Sequence, residues 1–232
     1  MHWTCPRPRL SAWALSLAAA LGAPYAAGTS LCDTGKHQSP IDITATTRQK
    51  LPALQFSYRS APLKIANDGH TVRVRFGPGS TLVVGSEVFT LQQFHFHTPG
   101  GDRVAGEEFP MVAHLLHKSR SGQLLALAVL FRFGPENPTL QTLLPLVPAQ
   151  PDGGHSYPAI AIDPSALLPT GRGYYRYLGS LTAPPCTEGV QWIVMKQPLT
   201  LSPAQLAQYK TRFADNARAV QAVHQRVILE SP

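Results

Sequence analysis

The stretch Gln93-Phe94-His95-Phe96-His97 governs how the rest of the chain is read. Polar and aromatic side chains alternate in it. A strand has a side-chain period of two, so His95 and His97 share one face while Phe94 and Phe96 share the other. The phenylalanines form the buried back of such a strand, and its front carries two imidazoles able to reach one metal ion. A third histidine, His114, lies in a second apolar run, Met111-Val112-Ala113-His114-Leu115-Leu116-His117. Three neutral histidines with an open fourth position are the pattern of a catalytic zinc site. A His-x-His pair taken alone is more often a solvated polar face than a ligand pair, so the context has to decide. His117, three residues beyond His114 in a strand, points the opposite way and reads as structural.

Short apolar segments broken by turns surround this stretch. Residues 54–60 and 62–66 read as short edge strands, and Asn67-Asp68-Gly69-His70 as a tight turn. Residues 71–76 alternate, Gly77-Pro78-Gly79 breaks the pattern, and residues 81–84 and 87–92 lead into the histidine strand, which Thr98-Pro99-Gly100-Gly101 ends. Residues 109–116 and 124–133 are further strands, the second apolar almost throughout and therefore buried on both faces. Asn137-Pro138 opens a short helix to about residue 146, with asparagine as N-cap and proline at the first helical position. Residues 148–158 read as a proline- and glycine-rich loop, 174–178 and 190–194 as strands, and Ser202-Pro203 starts a helix to about residue 213.

The 232 residues suffice for one sizeable core, and the 22 prolines and 18 glycines, many of them between apolar runs, favour a β-rich fold with many turns. Residues 1–28 have the form of a secretory signal. Arg7 and Arg9 supply a basic start, the apolar run 10–21 is too short to span a bilayer, and small residues at 22–28 offer a cleavage point. No other stretch could cross a membrane. The net charge of +7 falls to near +5 without the leader, and no basic run or basic–aromatic stripe stands out. Nucleic-acid binding is thereby excluded, and the charge reads as a dispersed solvated surface. Of the three cysteines, Cys5 leaves with the leader. Cys32 and Cys186 remain as an even pair in an exported chain, for which a disulfide is the natural reading.

Several motifs together resemble the α-class carbonic anhydrases of the bacterial, exported type. They are Gln38-Ser39-Pro40-Ile41-Asp42-Ile43, Asn67-Asp68-Gly69-His70, Gln93 to Pro99, His114-Leu115-Leu116-His117, Tyr174-Tyr175-Arg176-Tyr177 and the run from Gly179 to Val194. The resemblance extends from about residue 32 to residue 226 in the family's order and spacing. It implies a mainly β fold, a large twisted, mostly antiparallel central sheet with short peripheral helices, occupying residues 29–232. It implies a zinc lyase that hydrates carbon dioxide reversibly to bicarbonate through zinc-bound hydroxide. By motif, His95, His97 and His114 would hold the zinc, and Gln93 would orient His95. Thr182 would hydrogen-bond the hydroxide and His70 would shuttle protons. Leu116, Ala126, Leu181, Ala183, Val190 and Trp192 would line the substrate side, and Cys32 and Cys186 match the family's disulfide. The implied location is the periplasm or outside the cell. The chemistry agrees: carbon dioxide is apolar and suits an apolar wall beside the nucleophile, and histidine titrates near neutrality as a shuttle must.

Four departures qualify the resemblance. The family continues Thr-Pro with Ser-Glu-His, but this chain has Gly100-Gly101-Asp102, so the glutamate that accepts the Thr182 proton is missing. Val112 replaces the glutamate that partners the third ligand. Ala183 replaces the second threonine of Leu-Thr-Thr-Pro-Pro, and an aromatic-rich segment before the first cysteine is absent. Glu107 and Glu108 are near enough in sequence to substitute. The expected outcome is an intact zinc site with reduced turnover. The alternative is a weakly active or inactive zinc-binding relative that acts as a binding or scaffold module.

Overall fold

The structure is a computed structural model and describes residues 30–232; the expected leader, 1–28, lies outside the described residues. A single-turn helix α1 (Leu31–Thr34) is followed by β1 (Asp42–Ile43), β2 (Thr47–Arg48), β3 (Leu54–Ser57), β4 (Ala61–Asn67), β5 (Val72–Arg75), β6 (Thr81–Val84) and the long β7 (Glu87–His97). Then come β8 (Gly100–Val104), β9 (Glu107–Phe109), β10 (Met111–Ser119), β11 (Leu124–Phe133), α2 (Pro138–Leu143), β12 (His155–Ile162), β13 (Tyr174–Ser180), β14 (Glu188–Met195), β15 (Leu199–Leu201), α3 (Pro203–Lys210) and β16 (Leu229–Glu230).

Thirteen of these strands form one sheet whose main path runs β12-β4-β5-β7-β10-β11-β14-β13-β16-β2. Pairing is mostly antiparallel; β14 and β15 join β11, and β2 joins β16, in parallel. The expected mainly β fold with short helices is what the chain adopts. Strand β11 shows why the sheet is covered on both sides. Its Leu125, Leu127, Val129 and Phe131 enter the larger core, with Leu140 and Leu143 of α2 and Tyr209 of α3, while Ala126, Ala128 and Leu130 enter a second cluster on the other face.

Strand β7 carries the feature that positions the site. Phe89 and Leu91, then Phe94 and Phe96, all face the larger core, although strict alternation would put the two pairs on opposite faces. The pairing with β10 explains it: Leu116 opposes Gln93 but His117 opposes Leu91, so Gln92 is an extra residue. This bulge resets the phase and turns Gln93, His95 and His97 to the second face.

Two sequence expectations are corrected. Residues 62–66 are not an edge strand, because β12 pairs along β4 where a loop was expected. The histidine strand ends at His97 as read, and residues 100–104 then form β8 in a separate three-stranded sheet with β1 and β9. Helix α3 stops at Lys210, short of residue 213, although its start is as read: Ser202 and Gln205 form a capping box.

Candidate metal centre

Strands β7 and β10 place three histidines on one face, with His114 directly across from His95. Ring centroids lie 4.9 Å apart for His95–His97, 5.4 Å for His95–His114 and 4.9 Å for His97–His114. One nitrogen from each lies within 4.8 Å of the others, close enough to hold one metal ion. His117 is buried on the opposite side, its Nε2 2.7 Å from the Tyr58 hydroxyl, and takes no part.

The protonation states suit a metal. Burial holds His95 and His114 well below the usual histidine pKa, with neighbouring histidines adding to the effect and Arg73 adding to it at His95. Burial brings His97 down to about 4, opposed by its hydrogen bond to the Asn216 carbonyl. All three rings are therefore neutral at physiological pH, with a lone pair to offer. Two have their tautomer set by partners that only accept. The Nδ1–H of His95 donates to Gln93 Oε1 (2.9 Å), and that of His97 to the Asn216 carbonyl (3.1 Å), leaving each Nε2 as the ligand atom. The Nε2 atom of His97 is enclosed without a partner among the described residues, a cost that a bound cation would relieve, and His114 Nε2, beside Val112, is enclosed without an acceptor. The donor set, three neutral imidazoles with no thiolate, fits zinc with an open position.

The other expected residues gather around the triad. Ala126, Val190 and Trp192 are buried in the second cluster, and Leu116 and Leu181 pack against it half-exposed. Trp192 stands edge-on to His114, 4.9 Å between centroids, so this apolar wall begins at the triad itself. Ala183 is exposed and lines a cavity of about 450 Å³ together with Thr182, His70 and Arg73. His70 is exposed, its ring 5.7 Å from that of His97. The turn that holds it is the one read from sequence: Asp68 Oδ1 accepts from the backbone N–H of His70 (3.0 Å) and Thr71 (2.8 Å), and Gly69 takes a φ of +84°. Cys32 and Cys186 are bridged, which ties α1 to the loop that carries Thr182.

Thr182 makes no side-chain hydrogen bond among the described residues, and Val112 offers His114 only methyl groups. The expected substitutes do not fill these gaps. Glu107 pairs with Arg132 and Glu108 with Arg103, all on the surface. Asp102 is buried, but its Oδ1 accepts from Ile41 N (3.0 Å) and the Tyr177 hydroxyl (2.8 Å).

Sequence reading missed Asn216 and Arg73. Asn216 links four parts of the site: its carbonyl holds His97, its Oδ1 accepts from Thr98 N (2.9 Å), and its Nδ2 donates to the carbonyl of His70 (2.7 Å) and to the Tyr209 hydroxyl (3.1 Å). Nothing local announces such a role, since every partner but Tyr209 is distant in sequence. Arg73, in register with His95, had a signal in the alternation of residues 71–76, which puts it on the face opposite the core.

The fold and a three-histidine centre beside an apolar wall define a metal-dependent enzyme. Comparison with known proteins specifies which. The family model described as eukaryotic-type carbonic anhydrase matches residues 25–232. A carbonic anhydrase from Pectobacterium carotovorum is 41% identical over 202 residues, covering 86% of this chain and 82% of its own. Among solved structures, the Photobacterium profundum α-carbonic anhydrase is 41% identical, with a TM-score of 0.81 over 86% of this chain and 92% of its own. The α-carbonic anhydrase from Thermovibrio ammonificans, in complex with the inhibitor sulfanilamide, is 40% identical with a TM-score of 0.82, covering 86% and 89%. The chain belongs to the α-carbonic anhydrase family, the lyases that interconvert carbon dioxide and bicarbonate.

Proposed function

We propose that the protein hydrates carbon dioxide reversibly at a zinc ion held by His95, His97 and His114, with turnover below the family's. The observation that carries this reading is the triad itself, three neutral imidazoles, His95 half-buried and His97 and His114 buried, whose ligand atoms lie within 4.8 Å of one another. When bound, zinc acidifies a water ligand and so supplies a nucleophile at neutral pH, for which carbonic anhydrase is itself the standard example. The chain does the rest. Leu116, Ala126, Leu181, Val190 and Trp192, with Ala183 at the cavity side, hold an apolar substrate without hydrogen bonds that would fix it. Gln93 and Asn216 keep the His95 and His97 rings aimed. His70, exposed at the cavity and near His97, carries the released proton toward solvent. Thr182, at the cavity, would orient the nucleophile, but has no carboxylate to take its own proton.

The mature domain begins after cleavage between about residues 22 and 28, and the chain works in the periplasm or outside the cell. The Cys32–Cys186 bridge supports an oxidising compartment, and no helix among the described residues is long and apolar enough to cross a membrane. The test is stopped-flow carbon dioxide hydration with a zinc count on the same sample. One zinc per chain with measurable turnover is expected. Full zinc with no turnover would favour the binding-module reading instead.

A further inference from the structure

The basic residues on the outer side of the sheet are not dispersed as the sequence suggested. Core residues Leu63, Ile65, Val72 and Val74 face one way, so Lys64 of β4 and Arg75 of β5 face the other, the face that carries Gln93 and His95. The pairing of Ile65 with Val74 sets Lys64 and Arg75 opposite each other on neighbouring strands. Like charges facing across a sheet repel, and nothing here offsets them. Neither residue forms an ion pair among the described residues, where seven other pairs do form.

A third cation converges on the same place. Lys64, Arg75 and Arg59 line one hollow of about 330 Å³ with Ser60, Gly77 and Gly79. A second hollow of about 160 Å³ adjoins it and shares Lys64 and Arg75. Arg59 is held there: its backbone N–H donates to Ser80 Oγ (2.9 Å), and Ser80 Oγ–H donates back to the Arg59 carbonyl (3.3 Å). Its side chain lies along Gly79, whose φ of +127° suits the loop that walls the hollow. Its guanidinium, too, has no carboxylate partner among the described residues.

We propose that Arg59, Lys64 and Arg75 form a binding pocket for a soluble, multivalent oxyanion of the phosphate class. Three unpaired cations from three segments converge on a concave space roomier than one phosphate group needs, and a multivalent anion neutralises them together. A bilayer headgroup is the other source of this chemistry, but the exposed large hydrophobic residues Leu31, Val88, Phe133, Leu178 and Val227 all lie outside the hollow. Its apolar lining, Ala61, Pro62, Phe76 and Pro78, includes no large, well-exposed hydrophobic side chain to enter a membrane.

The experiment maps backbone amide shifts in zinc-loaded protein titrated with inorganic pyrophosphate at low salt. Shifts at residues 59–64 and 75–80 are expected. Arg75→Gln and Lys64→Gln should each weaken binding by about tenfold or more, and both side chains are exposed, so folding should persist, as an unchanged Tm would verify. Raising salt should weaken binding in the wild type more than in either variant. Absence of shifts at millimolar pyrophosphate, or shifts confined to the metal centre, would overturn the proposal. So would binding to phosphatidylglycerol vesicles without binding to free pyrophosphate, which would make the site a lipid contact.

Discussion

His95 and His97 each hand a ring proton to a fixed acceptor, Gln93 Oε1 and the Asn216 carbonyl, whereas His114 and Thr182 have none. The first pair sits on β7, whose bulge and buried phenylalanines aim it. The second pair flanks the apolar wall, where Val112 and Gly101 stand at the positions of two family glutamates. Holding a metal and orienting its nucleophile are thus supported separately in this fold, and the second support can be lost while the first stays whole.

Removing a ligand gives the largest effect. His114→Ala should lower zinc well below one per chain and bring carbon dioxide hydration to background, while His117→Ala leaves most zinc in place, since His117 turns to Tyr58 on the far side of β10. Metal analysis after dialysis decides it; equal loss in the two variants would mean that the third ligand is misassigned.

The disulfide comes next, because it fastens the less supported half. It joins residues 154 apart and so contributes up to about 5 kcal/mol in the chain-entropy model. Reduction should lower Tm and slow hydration while zinc stays bound, since β7 and β10 do not depend on it. Two free thiols in protein recovered from an oxidising compartment would refute the pairing.

Much of this contrast is legible in the sequence, for physical reasons. Strict alternation in residues 93–97, and the Asp-Gly turn before His70, are local codes that survive folding unchanged. Strand β11 is readable because the unbroken apolar run from Leu124 to Phe131 has nowhere to lie but between two layers. Strand β12 is not, because it covers the edge of β4 with mostly exposed residues, holds a proline and breaks register between Tyr157 and Ala161, so it carries no clean alternation. Strand β8 begins Gly-Gly-Asp, a turn signal that pairing with β1 and β9 overrides. Asn216 was invisible because its contacts come entirely from tertiary structure.

Asp102 gives a smaller, pH-dependent effect on the same half. Burial raises its pKa from 3.8 to about 6, against the hydrogen bonds from Ile41 and Tyr177, and its Oδ2 has no partner among the described residues. A folded pKa above the unfolded one means that the neutral acid is favoured on folding. Its stabilising contribution is full below about pH 4 and is lost as pH rises through about 6, on the order of 3 kcal/mol for a shift of this size. Glu188 and Glu230, held below their usual values, act in the reverse sense, so the informative quantity is a difference between variants. Asp102→Asn should be more stable than wild type at pH 7.5, with the gap shrinking toward pH 4.5. Urea midpoints at the two pH values measure it, and a gap independent of pH would show that the carboxylate is already neutral or solvated.

The smallest effect tests the missing carboxylate directly. A threonine hydroxyl has one proton and two acceptor sites. When a carboxylate takes the proton, the oxygen is left to accept from the nucleophile and to aim it at the substrate; without one, Thr182 can donate to the nucleophile instead and weaken it. Gly101→Glu should therefore raise turnover by roughly tenfold or more, the effect typical of restoring such a supporting group, with zinc content unchanged. The position accepts a side chain with modest adjustment: a Cβ there would lie 3.1 Å from Pro40 Cγ and 3.2 Å from Pro40 Cβ. Gly101→Ala carries that crowding without the carboxylate and is the control. Arg218 is the competitor to watch, because it lines both the Gly101 hollow and the cavity of Thr182, and already binds Gln38 Oε1 and the carbonyls of Ser39 and Cys32. Adding Arg218→Gln to Gly101→Glu separates the cases. A rate that rises only in the double variant means that Arg218 captures the new carboxylate. A rate that stays flat in both, in folded and zinc-loaded protein, means that the orientation of Thr182 does not limit this enzyme, since Glu107, Glu108 and Asp102 are all engaged elsewhere.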